Sequence, residues 1–130
     1  MLFFAVFISV CNACTQSKYP AAEYPLDAAR EFIDGCLKGD FKRAEAYMLV
    51  DVKNDSLFSS VEKKYAAKSA EEKQNYKDAS IIIFEDAVID SITHIINYQN
   101  SYDKIGRKVK VSLINDKWLV DFKYTFSGNL

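Results

Sequence analysis

Cysteine, glycine and proline are all scarce in this chain: three, four and two copies among 130 residues. Two of the cysteines, Cys11 and Cys14, fall within the first sixteen residues, which leaves Cys36 alone in the body and excludes an intramolecular disulfide framework there. So few glycines and prolines argue against a low-complexity or loop-dominated chain. There is one histidine, His94, and no cysteine, histidine or carboxylate cluster has zinc-ligand spacing, so neither a metal nor a cofactor is expected. A formal net charge of −1 gives no basic surface for nucleic acid or for anionic lipid head groups. A membrane-crossing run is lacking too: the apolar stretch Leu2 to Val10 is nine residues, whereas a transmembrane helix needs about 20.

That short apolar stretch has the length of the hydrophobic region of a secretory signal. It ends in Ala13-Cys14, a small residue before a cysteine, as a bacterial lipoprotein signal does. The expectation is a signal peptide over 1–13 and a diacylglyceryl lipid on Cys14, so the protein would be anchored to the bacterial cell envelope, at the outer membrane. Two features depart from the pattern. Cys11 stands three places before Cys14, where an aliphatic residue is usual, so ordinary secretion or lipidation at Cys11 is the alternative, and a buried cytosolic segment a third. Nothing basic precedes Lys18, which suggests a translation start further upstream. Residues 14–25 carry both prolines, Pro20 and Pro25, and read as a tether.

The remaining residues, 26–130, suit one domain with one core. Asp27 is expected to cap a first helix, on which Ala29, Phe32, Ile33, Cys36 and Leu37 form one apolar stripe at i, i+3, i+4, i+7 and i+8. That stripe makes Cys36 a core thiol. Gly39 suits the left-handed residue that ends the helix, and Asp40 caps the next, with Phe41, Ala44, Tyr47 and Met48 inward. A third helix is expected from about Asp55 to Ala67, and Ser69 to Glu72 reads as a capping box that opens a fourth. From Ala79 the period becomes two. Ile81–Phe84 is strongly β-prone, and Ile89-Asp90-Ser91 suits a turn. Ile92, His94, Ile96 and Tyr98 alternate with polar or mixed neighbours, as do Val109, Val111 and Leu113. Asn115-Asp116 is a tight-turn pair. The last strand is expected to carry Trp118, Val120, Phe122, Tyr124 and Phe126 inward, leaving Asp121 outward. Helices first and an antiparallel meander afterwards give an α+β fold, with N-terminal helices on a curved four-stranded antiparallel sheet.

Two stretches carry a resemblance. Asp27-Ala28-Ala29-Arg30-Glu31-Phe32 followed by Lys38-Gly39-Asp40-Phe41-Lys42-Arg43-Ala44 resembles the opening of the nuclear-transport-factor-2-like, cystatin-like α+β superfamily. Leu113 to Phe122 resembles its last hairpin. Within it, the chain is most similar to small bacterial envelope lipoproteins carrying a domain of unknown function. The resemblance covers about residues 25 to 126 and implies a cone, a bent sheet wrapped on helices, with a pocket at the wide end. It also implies that dimers can form through the sheet face. In this chain that face would present Thr93, Ile95, Asn97, Ile114, Leu119 and Thr125; an ordinary solvated sheet face is the slightly favoured reading.

Some members of that superfamily are isomerases, cyclases or dehydratases with an Asp or His base and Tyr or Asp donors. No catalytic residue carries over by motif. His94 could be a base on the apolar face of its strand; a histidine bonded to a neighbour at the sheet rim is the favoured reading. Glu85 and Asp86 are expected near a strand end, and no paired carboxylates stand out. Tyr47, Tyr65, Tyr98 and Tyr124, with Trp118 and His94, could line a pocket with apolar walls and polar tips; otherwise they are plain core. The leading expectation is a non-enzymatic domain that binds a small apolar ligand or a protein partner. The alternatives are a small isomerase- or dehydratase-like enzyme using His94 and the tyrosines, and a structural accessory subunit.

Overall fold

A computed structural model describes residues 18–126. The call on Cys14 and the signal peptide therefore lies outside the described residues. Four helices precede four strands: α1 Pro25–Lys38, α2 Phe41–Ala46, α3 Val52–Ala66, α4 Ala70–Asp78, then β1 Ile81–Asp90, β2 Thr93–Asn100, β3 Arg107–Ile114 and β4 Lys117–Asp121. A 3₁₀ turn, η1, spans Phe122–Phe126. The strands pair in the order β1-β2-β3-β4, every pair antiparallel, so the expected α+β meander forms. Among the described residues no helix is long and apolar enough to cross a membrane.

The local chemistry explains most boundaries. The first helix starts one turn earlier than Asp27 suggests. Tyr24 is the N-cap and Pro25 is the first helical residue, where a missing N–H is harmless. Asp27 instead sits in the first turn, favourable to the helix dipole. Gly39 ends α1 at φ +70°, and the Asp40 N–H reaches back to the Gly35 carbonyl at 2.8 Å, the Schellman arrangement. A Cβ on Gly39 would lie 2.6 Å from the Tyr65 ring, so the glycine also makes room for α3. Asp40 caps α2 through the Arg43 N–H, and Asp51 caps α3 through the Asn54 N–H at 2.7 Å, four residues before the expected Asp55. Only half of the expected capping box forms. Ser69 Oγ accepts from the Glu72 N–H, while the Glu72 carboxylate pairs with Lys68.

The core lies between α1, α3 and one face of the sheet. Phe32, Ile96, Val109, Val111 and Val120 are at most 2% exposed. Burying each such side chain contributes about 1.5–3 kcal/mol. The Phe32 ring meets Phe122 at 5.2 Å and Phe58 at 6.1 Å, in the tilted geometry aromatic pairs favour. The segment after α2 lies alongside β4: the Leu49 N–H donates to the Val120 carbonyl and the Val120 N–H to the Tyr47 carbonyl, both at 2.8 Å.

Three departures of the sheet from simple alternation move residues from their expected places. First, β1 runs on to Asp90 and the turn falls at Ser91-Ile92, so Ile92 is exposed rather than inward. Second, β1 changes register between Ile83 and Glu85, which is a bulge at Phe84. Ile83 opposes Tyr98 before it, and Asp86 opposes Ile96 after it. Asp86 is thereby a mid-strand residue on the helix-facing side, not one near a strand end. Third, the last strand stops at Asp121. Beyond it Phe122 and Thr125, three apart, are buried as 3₁₀ neighbours, while Phe126 is 49% exposed. Asp121, expected outward, is buried because α3 supplies Asn54 as its partner. Thr125, assigned to the outer face from its parity, is buried and donates to the Lys108 carbonyl at 2.8 Å.

Candidate functional site: a cavity between the helices and the sheet

A cavity of about 310 Å³ opens where α1, α3 and α4 pass over β2, β3 and η1. Helical spacing builds two of its walls. Phe32, Ile33, Cys36 and Leu37 come from one stripe of α1, and Val61, Lys64, Tyr65 and Lys68 stand at i, i+3, i+4 and i+7 along α3 and just past its end. Tyr76 on α4 adds to them. The sheet supplies Tyr98 and Asn100, two apart on one face of β2, and Arg107, directly opposite Tyr98 on β3. Phe122, Thr125 and Phe126 of η1 close the remaining side.

Asp103, in the β2–β3 connection, organises the polar end. It receives Arg107 through two hydrogen bonds, Nη2 to Oδ2 at 2.8 Å and Nη1 to Oδ1 at 3.1 Å, and the Tyr76 hydroxyl at 3.4 Å. Burial pushes the Asp103 carboxyl up, but Arg107, the Ile105 N–H and Asn100 outweigh it and hold the carboxyl at about 2. Asn100 Oδ1 in turn accepts from the Tyr102 and Asp103 N–H groups, which fixes the loop. Lys68 pairs with Glu72 at 2.9 Å and lies 4.9 Å above the Tyr76 ring.

Burial raises the Tyr98 phenol and keeps it protonated, so it is a hydrogen-bond donor at neutral pH. Burial also pushes the Cys36 thiol up to about 12, assisted by the charge of Glu62. Cys36 is partly buried where the core meets the cavity; it is an apolar wall and a poor nucleophile.

The six residues expected at a pocket separate into four places. Tyr65 and Tyr98 line the cavity. Tyr47 is buried beneath α1 and donates to the Pro20 carbonyl at 2.8 Å. Tyr124 lies on η1, beside a more open depression that it shares with Lys53, Asp121, Lys123 and Phe126. His94 and Trp118 meet each other edge to face at 5.4 Å towards the opposite end of the sheet from Tyr98, and neither lines the cavity. There His94 Nδ1 is 2.6 Å from Asp86 Oδ1. Trp118 is half buried at the margin of the core. Sequence reasoning passed over Lys64, Lys68, Tyr76, Asn100 and Arg107; only the shared helical spacing of Val61, Lys64, Tyr65 and Lys68 could have pointed to some of them.

Among the described residues no Asp or Glu lines the cavity, and no three His, Cys, Asp or Glu side chains converge as metal ligands. The arrangement can enclose an apolar body and donate hydrogen bonds to it, while the histidine–carboxylate pair stands elsewhere.

The helices over a curved four-stranded antiparallel sheet define an α+β protein with a nuclear-transport-factor-2-like fold. It is similar to the crystal structure of an NTF-2-like protein of unknown function from Shewanella oneidensis MR-1, with a TM-score of 0.51 and 12% sequence identity, covering 73% of this chain and 89% of that one. No family model and no curated protein matches the chain.

Proposed function

We propose that the protein is a lipid-anchored envelope protein whose domain binds a small, mainly apolar ligand without transforming it. The cavity carries this reading. Its volume of about 310 Å³ is at the small end of the roughly 300–1,000 Å³ typical of ligand sites, and α1, α3 and η1 give it mostly apolar walls. The distance between His94 and the tyrosines of the cavity weighs against a base working on a ligand held there. Cys14 and the proline-marked segment behind it support the anchor.

Titrating the detergent-extracted full chain with Nile red, a neutral apolar dye, tests the binding. Saturable uptake of one dye per chain is expected, abolished in Val61→Trp, whose indole fills the cavity, with an unchanged melting temperature. No saturable uptake, or equal uptake by the filled variant, contradicts the reading. In the same cells Cys14→Ala should move the protein out of the membrane fraction; its retention there contradicts the anchor.

A further inference from the structure

We propose that the cavity selects an amphipathic organic anion, an apolar body carrying one carboxylate, with the carboxylate placed between Tyr98 and Arg107. The proposal rests on the ligand-binding reading above and adds the chemical class of the ligand.

Three observations lead to it. The charged residues lining the cavity are all cations: Lys64, Lys68 and Arg107. Lys68 is answered by Glu72 and Arg107 by Asp103, but Lys64 forms no ion pair among the described residues. The positive charge at this opening therefore exceeds the negative charge paired with it.

The second observation is the Tyr98 hydroxyl. Tyr98 is 7% exposed, and no described residue hydrogen-bonds its hydroxyl. No fully enclosed side-chain oxygen or nitrogen in the described chain lacks a partner, so this hydroxyl must open onto free space. Tyr98 borders both the cavity and a shallower depression beside Phe84 and Lys108, and the influence of Cys36 on its phenol places the hydroxyl on the cavity side, where Cys36 is a wall. A donor held in a mostly apolar wall has only solvent to accept from it until a ligand with an acceptor enters. A carboxylate oxygen is such an acceptor, and it also favours the protonated phenol that burial enforces.

The third is the unused edge of Arg107. Nη1 donates to Asp103 and to the Ile105 carbonyl, and Nη2 donates once to Asp103. A guanidinium has five N–H donors, so Nε and the second hydrogen of Nη2 remain, side by side on one edge. Asp103 thus fixes the fork without exhausting it. Because Tyr98 and Arg107 face each other across the β2–β3 ladder, their free donors share one end of the cavity. The Phe32, Ile33 and Val61 walls take the apolar body.

The test is displacement of Nile red from the full chain by octanoate and by octanol, which match in length and differ in the head group. Octanoate should displace the dye at a concentration about tenfold lower than octanol does, as expected for hydrogen bonds to a charged acceptor. Tyr98→Phe removes only the hydroxyl. It should bring the two competitors to within about threefold of each other, each compared with the dye affinity measured in that same variant. Lys64→Gln should weaken octanoate more than octanol, with a smaller difference at high salt. Equal displacement by the two competitors, or an octanoate preference that survives in both variants, overturns the carboxylate assignment while the cavity stands. Absence of dye binding in the unaltered chain overturns the cavity reading itself, and the assignment with it.

Discussion

Two polar clusters sit against the core of this domain, and they are built to opposite rules. The first joins α3 to the end of β4. Asn54, fully buried, donates from Nδ2 to the Leu49 carbonyl at 3.0 Å and to Asp121 Oδ1 at 3.1 Å, and its Oδ1 accepts from the Lys123 N–H at 2.6 Å. Lys123 Nζ then bridges Asp51 and Asp121, at 2.8 Å to each. Every polar atom of Asn54 is used. The second cluster, at the cavity, has a saturated outer half, Asp103 with Arg107, Tyr76 and the loop N–H groups, and an unsaturated inner half, the Tyr98 hydroxyl and the free edge of Arg107. A closed network fixes one arrangement of the chain. An open one stores hydrogen-bonding capacity for a molecule that the chain does not supply. Under the proposed ligand binding, this difference separates structure from recognition.

The sharpest way to break this contrast is to open the closed cluster. Asn54→Leu removes the donor to Asp121 and Leu49 and the acceptor for Lys123, and leaves Asp121 buried with one partner fewer. A loss of about 3 kcal/mol in unfolding free energy is expected, read from urea or thermal melts. A change under about 1 kcal/mol would show that water or a shift of η1 replaces the network, and that its closure has no structural weight.

Acid should reach the outer half of the second cluster next. The Asp103 carboxyl titrates at about 2 in the folded chain, below its ordinary value near 3.9. A depressed carboxyl adds stability that is fully present above the unfolded value and is lost as pH falls through the folded one. The loss attributable to Asp103 should therefore fall between about pH 4 and pH 2, and Asp103→Asn should flatten the stability profile there. An unchanged profile in the variant would mean that the Arg107 pair is too solvated to matter.

The sequence makes the helices legible because their signals are local. Gly39, Asp40 and Ser69 mark their ends, and the α1 stripe marks its buried face. Asn115-Asp116 is equally plain, both residues adopting positive φ, 49° and 62°, in the β3–β4 turn. Errors arise where two periods agree. Phe122, Tyr124 and Phe126 satisfy strand alternation, while Phe122 and Thr125 satisfy a 3₁₀ repeat, and Asn54, 67 residues before Asp121, helps anchor the bend. The bulge at Phe84 hid Asp86 in the same way, since parity counted from Ile81 places it on the wrong face. The cavity was the least legible part. Tyr98 and Tyr65 were found as aromatics, but the cations around them come from separate segments, and Arg107 gains meaning only from Asp103 and from its position opposite Tyr98.

The smallest expected effect on stability is the most discriminating. Tyr98→Phe deletes one oxygen from a residue as inaccessible as many in the core, and deletion of a buried hydroxyl that had an internal partner would destabilise the fold by about 1 kcal/mol or more. With no partner to lose, the variant should melt within about 0.5 kcal/mol of the unaltered chain, and removal of an unpaired donor from an apolar wall can even stabilise it. The contrast with Asn54→Leu is then direct: two buried polar side chains, one indispensable to the fold and one idle in it. Saturating octanoate should raise the melting temperature of the unaltered chain, since a ligand that binds only the folded state stabilises it, and should raise that of Tyr98→Phe less. A Tyr98→Phe variant that melts more than about 1.5 kcal/mol early would assign the hydroxyl to the fold, and both clusters would then be closed.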